Sequence, residues 1–305
     1  MPNFPAPVRA GVEDALARLG LNPEIVDISP VAGGCINHGA RVATAGGSFF
    51  LKWNASAPPH FFEAEADGLR ALGAAGVLRV PRPLVHGGGS GAPAWLLMEY
   101  IEAGPRGPVY EETLGRGLAA LHSSGATGSG FGWSRDNWIG SLPQSNPTGH
   151  SWATFWRNHR LAPQLRRARD GGFLTGAAGA VLDDVVDLVP MALADVDLGP
   201  VHLLHGDLWG GNAYPASDGA PTLIDPATYR GHGEVDLAMT ELFGGFGARF
   251  YDGYREVVGI SDAYGAYRRD LYQLYYLLVH VNLFGSQYER PTLAAAGRVV
   301  STLAG

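Results

Sequence analysis

A chain of 305 residues with 46% hydrophobic and 17% charged residues is long enough to bury a large core or two lobes. Its formal charge of −7 divides into −2 for residues 1–102 and −5 for residues 103–305, so neither part has the basic excess of a nucleic-acid binder. The single cysteine, Cys35, excludes an intramolecular disulfide and any cysteine-built metal cluster. Glycine and proline number 44 and 21 but are dispersed between periodic apolar segments, which argues against long disorder. No apolar run reaches membrane length: Leu271 to Phe284 is interrupted by Gln273, His280 and Asn282 and reads as a buried helix. The N-terminus has no basic region followed by an apolar core, so a cytoplasmic protein is expected.

In chain order, residues 8–19 have helical spacing and stop at Gly20. Ile25 to Ile28, Ala40 to Thr44 and Phe49 to Trp53 read as strands, the last two joined by a turn at Ala45-Gly46-Gly47. Phe61 to Leu72 is an amphipathic helix, Pro81 and Pro83 mark a connector, and Ala94 to Ile101 is a buried strand. Helical patterns then dominate, at about 110–123, 151–169, 177–194, 235–257 and 262–304 in several pieces. The strand signals there are Val201 to Leu204 and Pro221 to Ile224, bracketing an octapeptide as a catalytic β-hairpin. The expected architecture is α+β: a two-lobed protein-kinase-like fold with a small antiparallel-β N-lobe (1–102) carrying one packed helix, and a larger, mostly α C-lobe (103–305). No period of 20–50 residues recurs, so a repeat protein is excluded.

The octapeptide is His205-Gly206-Asp207-Leu208-Trp209-Gly210-Gly211-Asn212, and Asp225 follows thirteen residues later in Thr-Leu-Ile-Asp-Pro. An Asp, an Asn five positions on and a second Asp ending an apolar strand match the kinase constellation in type and spacing. Asp207 is the expected acceptor of the substrate hydroxyl's proton, and Asn212 and Asp225 supply the hard oxygens that suit Mg²⁺. Lys52 is the only lysine among 22 basic residues and lies in the apolar run Phe49 to Trp53, where a charge needs a buried or liganded reason. It is expected to bind the α- and β-phosphates of ATP and to pair with Glu65. Glu63 is the competitor, but Glu65 shares a helix face with Leu69 and Leu72, which must point inward. Gly33, Gly34, Cys35, Ile36 and Asn37 lie between two strands before Lys52, where a loop would cover the phosphates, although they do not form G-x-G-x-x-G. Backbone groups of Glu99, Tyr100 and Ile101 are expected at adenine, with His205 and Asp236 as supports of the catalytic loop.

With these residues in place the chain resembles the fructosamine kinase, or ketosamine-3-kinase, family within the aminoglycoside phosphotransferase and choline kinase group. The likeness runs from about Gly33 to Tyr254. It includes Gly-Gly-Cys-Ile-Asn (33–37), Phe-Leu-Lys-Trp-Asn (50–54), Phe-Glu-Ala-Glu-Ala (62–66) and Asp-Asn-Trp-Ile-Gly-Ser-Leu-Pro-Gln-Ser-Asn (136–146). It also includes Trp-Ala-Thr-Phe-Trp-Arg-Asn-His-Arg-Leu (152–161), the octapeptide, and the stretch from Ile224 to Met239. Trp209 and the Pro-Gln-x-Asn of residues 143–146 are its specific marks; Gly210, where many relatives have Ser, is a departure. The resemblance implies ATP-dependent phosphorylation of the 3-hydroxyl of fructosyl- or ribulosyl-amines, whose 3-phosphates decompose and free the amine. Trp209 reads equally well as a ring stacking on the sugar and as a core residue under the loop. The partners expected are ATP and a free or protein-bound ketosamine, with no nucleic acid or membrane, and a monomer or a dimer linked through Cys35. The alternatives are a kinase of an aminoglycoside, amino alcohol or other sugar, and a non-catalytic scaffold with this fold.

Overall fold

The structure is a computed structural model that describes residues 4–31, 36–89, 91–124 and 130–304. In chain order its first elements are α1 (Ala6–Arg18), β1 (Ile25–Pro30), β2 (His38–Thr44), β3 (Gly47–Asn54), α2 (Phe61–Ala74), β4 (Pro83–Gly89) and β5 (Ala92–Glu99). Next come α3 (Tyr110–Ser124), β6 (Asn137–Ile139), β7 (Leu142–Gln144), α4 (Trp152–Trp156), α5 (Ala162–Asp170) and α6 (Gly176–Ala192). Four short strands follow: β8 (His202–Leu204), β9 (Ala213–Pro215), β10 (Pro221–Leu223) and β11 (Tyr229–Gly231). The chain ends in α7 (Glu234–Leu242), α8 (Ala248–Arg255), α9 (Arg269–Phe284) and α10 (Glu289–Leu303). It forms two compact units, one of residues 1–107 with 213–225 and the other of 108–212 with 226–305.

The first unit is built on a five-stranded antiparallel sheet of order β1-β2-β3-β5-β4. Its strands alternate faces as the pleat requires. Leu51 and Trp53 of β3, with Trp95 and Leu97 of β5, point into a core completed by Val8, Val12, Ala15 and Leu16 of α1. Lys52 lies between Leu51 and Trp53 and so emerges on the opposite face, where α2 packs on β4 and β5. Two helices therefore cover this sheet, where the sequence pattern suggested one. Strand β4 occupies part of the stretch expected to be a connector: Pro83 opens it at an edge position, where a missing N–H does no harm. The hairpin of β9 and β10 belongs to this unit, through the bridges Arg79 to Thr222 and Ala103 to Ala216. Expected as one hairpin around the octapeptide, the strands at 201–204 and 221–224 instead pair elsewhere: β8 with β11, and β10 with β9. The octapeptide is too irregular to be the tight connection a hairpin needs.

The second unit is helical. Helix α9 has eleven buried residues, and around it Trp152, Trp156, Tyr229, Tyr272 and Tyr275 pack ring against ring. Helices α3 and α8 cross so closely that a Cβ at Gly115 would lie 2.0 Å from the carbonyl oxygen of Phe250. The region 235–257 is broken between α7 and α8 at Gly244 and Gly245, both at positive φ. Among the described residues no helix is long and apolar enough to cross a membrane.

Candidate active site

In the first unit, the central strand β3 carries Lys52 to the face covered by α2. Lys52 is 6% exposed, and its ammonium donates to Glu65 Oε1 at 2.6 Å and to Asp225 Oδ1 at 2.5 Å. Burial by itself would lower the pKa of Lys52, but the two carboxylates outweigh it and the pKa is raised, so the group stays charged. Burial pushes Glu65 the other way, above the ordinary carboxylate range, with Lys52 opposing. Glu63 faces outward and meets the exposed His60 at 2.7 Å. Asp225 is a non-glycine residue in the left-handed region, at φ 56°, a sparsely populated conformation that Asp tolerates better than most side chains. Following β10, that turn aims its carboxylate at Lys52.

Glu99 ends β5 and its N–H donates to the Arg82 carbonyl at 2.9 Å. The Ile101 carbonyl accepts the Tyr214 hydroxyl at 3.0 Å, and the Arg41 guanidinium lies 5.4 Å from the Tyr100 ring centre. Burial, then the neighbouring Tyr100, pushes the Tyr214 pKa up to about 12. Tyr214 escapes sequence reasoning because its partner is 113 residues away. Of the expected phosphate loop, Gly33, Gly34 and Cys35 lie outside the described residues. Asn37 accepts from Asn54 Nδ2 at 2.9 Å, and the Ile36 carbonyl lies 3.4 Å from the same nitrogen.

In the second unit the octapeptide is held from three sides. Asp236, on α7 and fully buried, accepts the N–H of His205 and of Gly206, both at 2.8 Å. Burial would raise its pKa, but His122, His205 and the Gly206 N–H hold it below the usual carboxylate range. His122 Nε2 lies 3.2 Å from Asp236 Oδ2 and its Nδ1 lies 2.8 Å from the Tyr254 hydroxyl. An ionised carboxylate only accepts, so His122 Nε2 donates to Asp236. Gly206 has φ 83°, and a Cβ there would sit 2.2 Å from the Ala227 carbonyl oxygen, so no other residue fits. The Tyr276 hydroxyl donates to the Gly206 carbonyl at 2.9 Å. Within the loop, Asp207 N–H donates to His205 Nδ1 at 3.2 Å, and Asn212 Nδ2 donates to the Asp207 carbonyl at 2.8 Å. Trp209 is 40% exposed, so it is not the core residue that one reading of the sequence offered.

The segment Pro-Gln-x-Asn also has a physical account. Gln144 Nε2 donates to Asn137 Oδ1 at 2.7 Å and to the Ala227 carbonyl at 3.2 Å, while Asn137 Nδ2 donates to the Thr228 carbonyl at 2.9 Å. Asn146 Nδ2 donates to Asn137 Oδ1 at 2.8 Å, and the fully buried Arg160 donates to Asn146 Oδ1 at 2.6 Å. The Arg160 guanidinium lies 4.0 Å from the centre of the Tyr229 ring, which offers a π face to the cation. Thus the side chains of Asn137, Gln144, Asn146 and Arg160 brace the backbone just after Pro226. His122, Tyr276 and Gln144 act on the loop through partners 70–114 residues distant, and only the Pro-Gln-x-Asn pattern gives any sequence signal of this support.

Among the described residues no group of three or more His, Cys, Asp or Glu could hold a metal ion. What the arrangement offers is an enclosed cation beside two carboxylates in one unit, and in the other a carboxylate on a rigidly held turn.

The family described as fructosamine kinase matches residues 11–301. A Synechocystis sp. protein named probable ketoamine kinase is 42% identical over 290 residues, covering 94% of this chain and 95% of its own. The chloroplastic protein-ribulosamine 3-kinase of Arabidopsis thaliana is 41% identical over 278 residues, covering 90% of this chain and 83% of its own. Among solved structures, a Thermobifida fusca protein studied as a candidate fructosamine-3-kinase superposes with a TM-score of 0.84 at 34% identity, covering 96% of this chain and 99% of its own. A thermostable mutant of aminoglycoside phosphotransferase APH(4)-Ia reaches 0.61 at 17% identity, covering 96% and 98%, a likeness of fold alone. The fold is α+β and kinase-like.

Proposed function

We propose that this chain, which belongs to the fructosamine kinase family, phosphorylates the 3-hydroxyl of ketosamines, fructosyl- or ribulosyl-amines, with ATP. The observation that carries the reading is the buried Lys52 held by Glu65 and Asp225, joined to the Asp207 and Asn212 spacing of the octapeptide. In this reading residues 1–102 serve the nucleotide and residues 103–305 the acceptor. Lys52 neutralises the α- and β-phosphates as a slim point charge, and Glu65 keeps it extended. Gly33, Gly34, Cys35, Ile36 and Asn37 cover the phosphates. The Glu99 N–H is already engaged within the sheet, which leaves adenine the other backbone groups of Glu99, Tyr100 and Ile101.

Asp207 takes the proton of the attacking hydroxyl as the new O–P bond forms and the bond between the γ-phosphorus and the bridging oxygen breaks. His205 and Asp236 fix the turn that presents Asp207. The donor set of Asn212 and Asp225, an amide oxygen and a carboxylate, suits Mg²⁺, which binds proteins through few ligands and completes its shell with phosphates and water. Bound there, magnesium would neutralise charge on the phosphates. Trp209, with an exposed indole beside Asp207 in the chain, stacks on the apolar face of the sugar. A cytoplasmic setting suits such repair, with Cys35 available for a redox-linked dimer.

The test is ATP turnover with ribulosyl-lysine, fructosyl-lysine, an aminoglycoside and choline side by side, with the phosphorylated carbon assigned by NMR. A ketosamine 3-phosphate as main product is the expected outcome. Preference for the aminoglycoside or choline would overturn the substrate, and no phosphoryl transfer to any acceptor would overturn the kinase.

A further inference from the structure

Helix α9 runs outward from the catalytic loop along one face. Tyr276 bonds the carbonyl of Gly206, next to Asp207, and burial, then Tyr229, Asp236 and Asp207, raise its pKa. One turn on, His280 Nδ1 donates to the Tyr276 carbonyl at 2.8 Å, which directs the bare Nε2 away from the helix. A further turn brings Phe284. Around the imidazole stand Phe243 at 4.6 Å, Tyr288 at 5.0 Å and Phe284 at 5.4 Å between ring centres. Phe243 and Phe284 are 42% and 45% exposed, a cost to the free protein that isolated rings of this size do not usually carry in a cluster.

This shelf is continuous with the loop that holds Trp209. Gly244, next to Phe243, packs on Gly210: a Cβ at Gly210 would lie 3.1 Å from the Gly244 carbonyl oxygen. From Tyr276, His280 lies about 6 Å and Phe284 about 12 Å along the helix axis, at 1.5 Å per residue. In a ketosamine, about 5 Å separates the 3-oxygen from the amine nitrogen, and a lysine stem extends about 6 Å more. The acceptor and its arm are thus about as long as the run of helix from Tyr276 to Phe284.

The geometry points to the shelf of Phe243, His280, Phe284 and Tyr288 as the subsite for the amine side of the acceptor, a secondary ammonium and its alkyl arm. The inference rests on the ketosamine reading above. Aromatic faces attract a cation, an uncharged imidazole accepts its N–H through Nε2, and the outer rings cover methylenes. Burial holds His280 below its ordinary pKa, consistent with an acceptor and not a competing cation.

The test uses ribulosyl adducts of methylamine, butylamine and Nα-acetyl-lysine with the full chain. In the wild type KM should fall by about tenfold from the methylamine to the butylamine adduct, a modest return on three partly buried methylenes. Phe284→Ala should abolish that gain while changing KM for the methylamine adduct and for ATP less than twofold. His280→Phe should raise KM for all three adducts, and His280→Gln, which keeps an acceptor, should recover most of the loss. A flat arm-length series in a wild type that phosphorylates ketosamines overturns this inference alone. Equal KM losses across the adducts in Phe284→Ala do the same. Failure to phosphorylate any ketosamine overturns the substrate reading and the subsite together.

Discussion

At the scale of single residues, the chemistry is expected to rest on side chains whose surroundings leave them little freedom. Asp207→Asn should lower kcat by about 10²–10⁴ with ATP affinity nearly unchanged, the range for a positioned proton acceptor. Steady-state kinetics and nucleotide titration decide it, and a variant with half the wild-type turnover would remove Asp207 from that role. Lys52→Arg should be damaging in a chain whose other 21 basic residues are arginines, because a planar fork does not fit where one ammonium spans Glu65 and Asp225 at 2.5–2.6 Å. Wild-type kinetics in a folded Lys52→Arg protein would make the lone lysine an accident of codon usage. Trp209→Ala should raise KM for the acceptor and not for ATP; loss of stability alone would point to packing. The pairing of Lys52 with Glu65 was legible because helix-face periodicity separates Glu65 from Glu63. Tyr214 and Tyr276 were not, since a tyrosine that bonds a backbone carbonyl 70–113 residues away leaves no local pattern.

At the scale of elements, the antiparallel strands and the long helices were readable from periods of 2 and 3.6, and the failures have physical causes. Strand β4 begins at a proline, which punctuation rules read as a break but which an edge strand tolerates. Strands of three residues, such as β6 and β7, are too short to show any period. The polar side chains of this region would be taken for loop residues, yet Asn137, Gln144 and Asn146 are buried and bonded to one another. Gln144→Leu, nearly isosteric, should therefore strand the Tyr275 hydroxyl, leave Asn137 Oδ1 with Asn146 as its donor, and cost about 1–3 kcal/mol. Urea denaturation of the variant measures it, and an unchanged midpoint would show that the network adds nothing. Gly115→Ala should cost at least as much, because the obstacle is backbone and α3 and α8 must separate to admit the methyl group.

At the scale of the whole molecule, the second unit buries histidines that cannot charge without cost. Burial, then His122, pushes the His202 pKa from 6.5 down to about 4, and His232 is also lowered, by burial and then by Arg268. Between these two values the unfolded chain binds more protons than the folded one, so stability falls as pH drops from about 6.5 towards 4. It is fully present above that window. His202 alone accounts for about 3 kcal/mol of this loss. Denaturation curves at pH 7.5, 5.5 and 4.5 should show the decline, and His202→Gln should flatten it; equal declines would exonerate His202. The division into a β-rich and an α-rich part was legible from composition and periodicity. The membership of residues 213–225 in the first unit was not, because pairings such as Arg79 with Thr222 join segments more than a hundred residues apart.

That membership has a consequence for the order of events during synthesis. The sheet's residues all leave the ribosome early, but its last partner hairpin, and the second of the two carboxylates on Lys52, emerge only with Asp225. At usual elongation rates of about 5–20 residues per second the nascent sheet waits on the order of ten seconds with its central ammonium able to pair with Glu65 but not yet with Asp225. The first lobe begun thus cannot be finished until residue 225 has emerged, after residues 108–212 of the second unit have already been made.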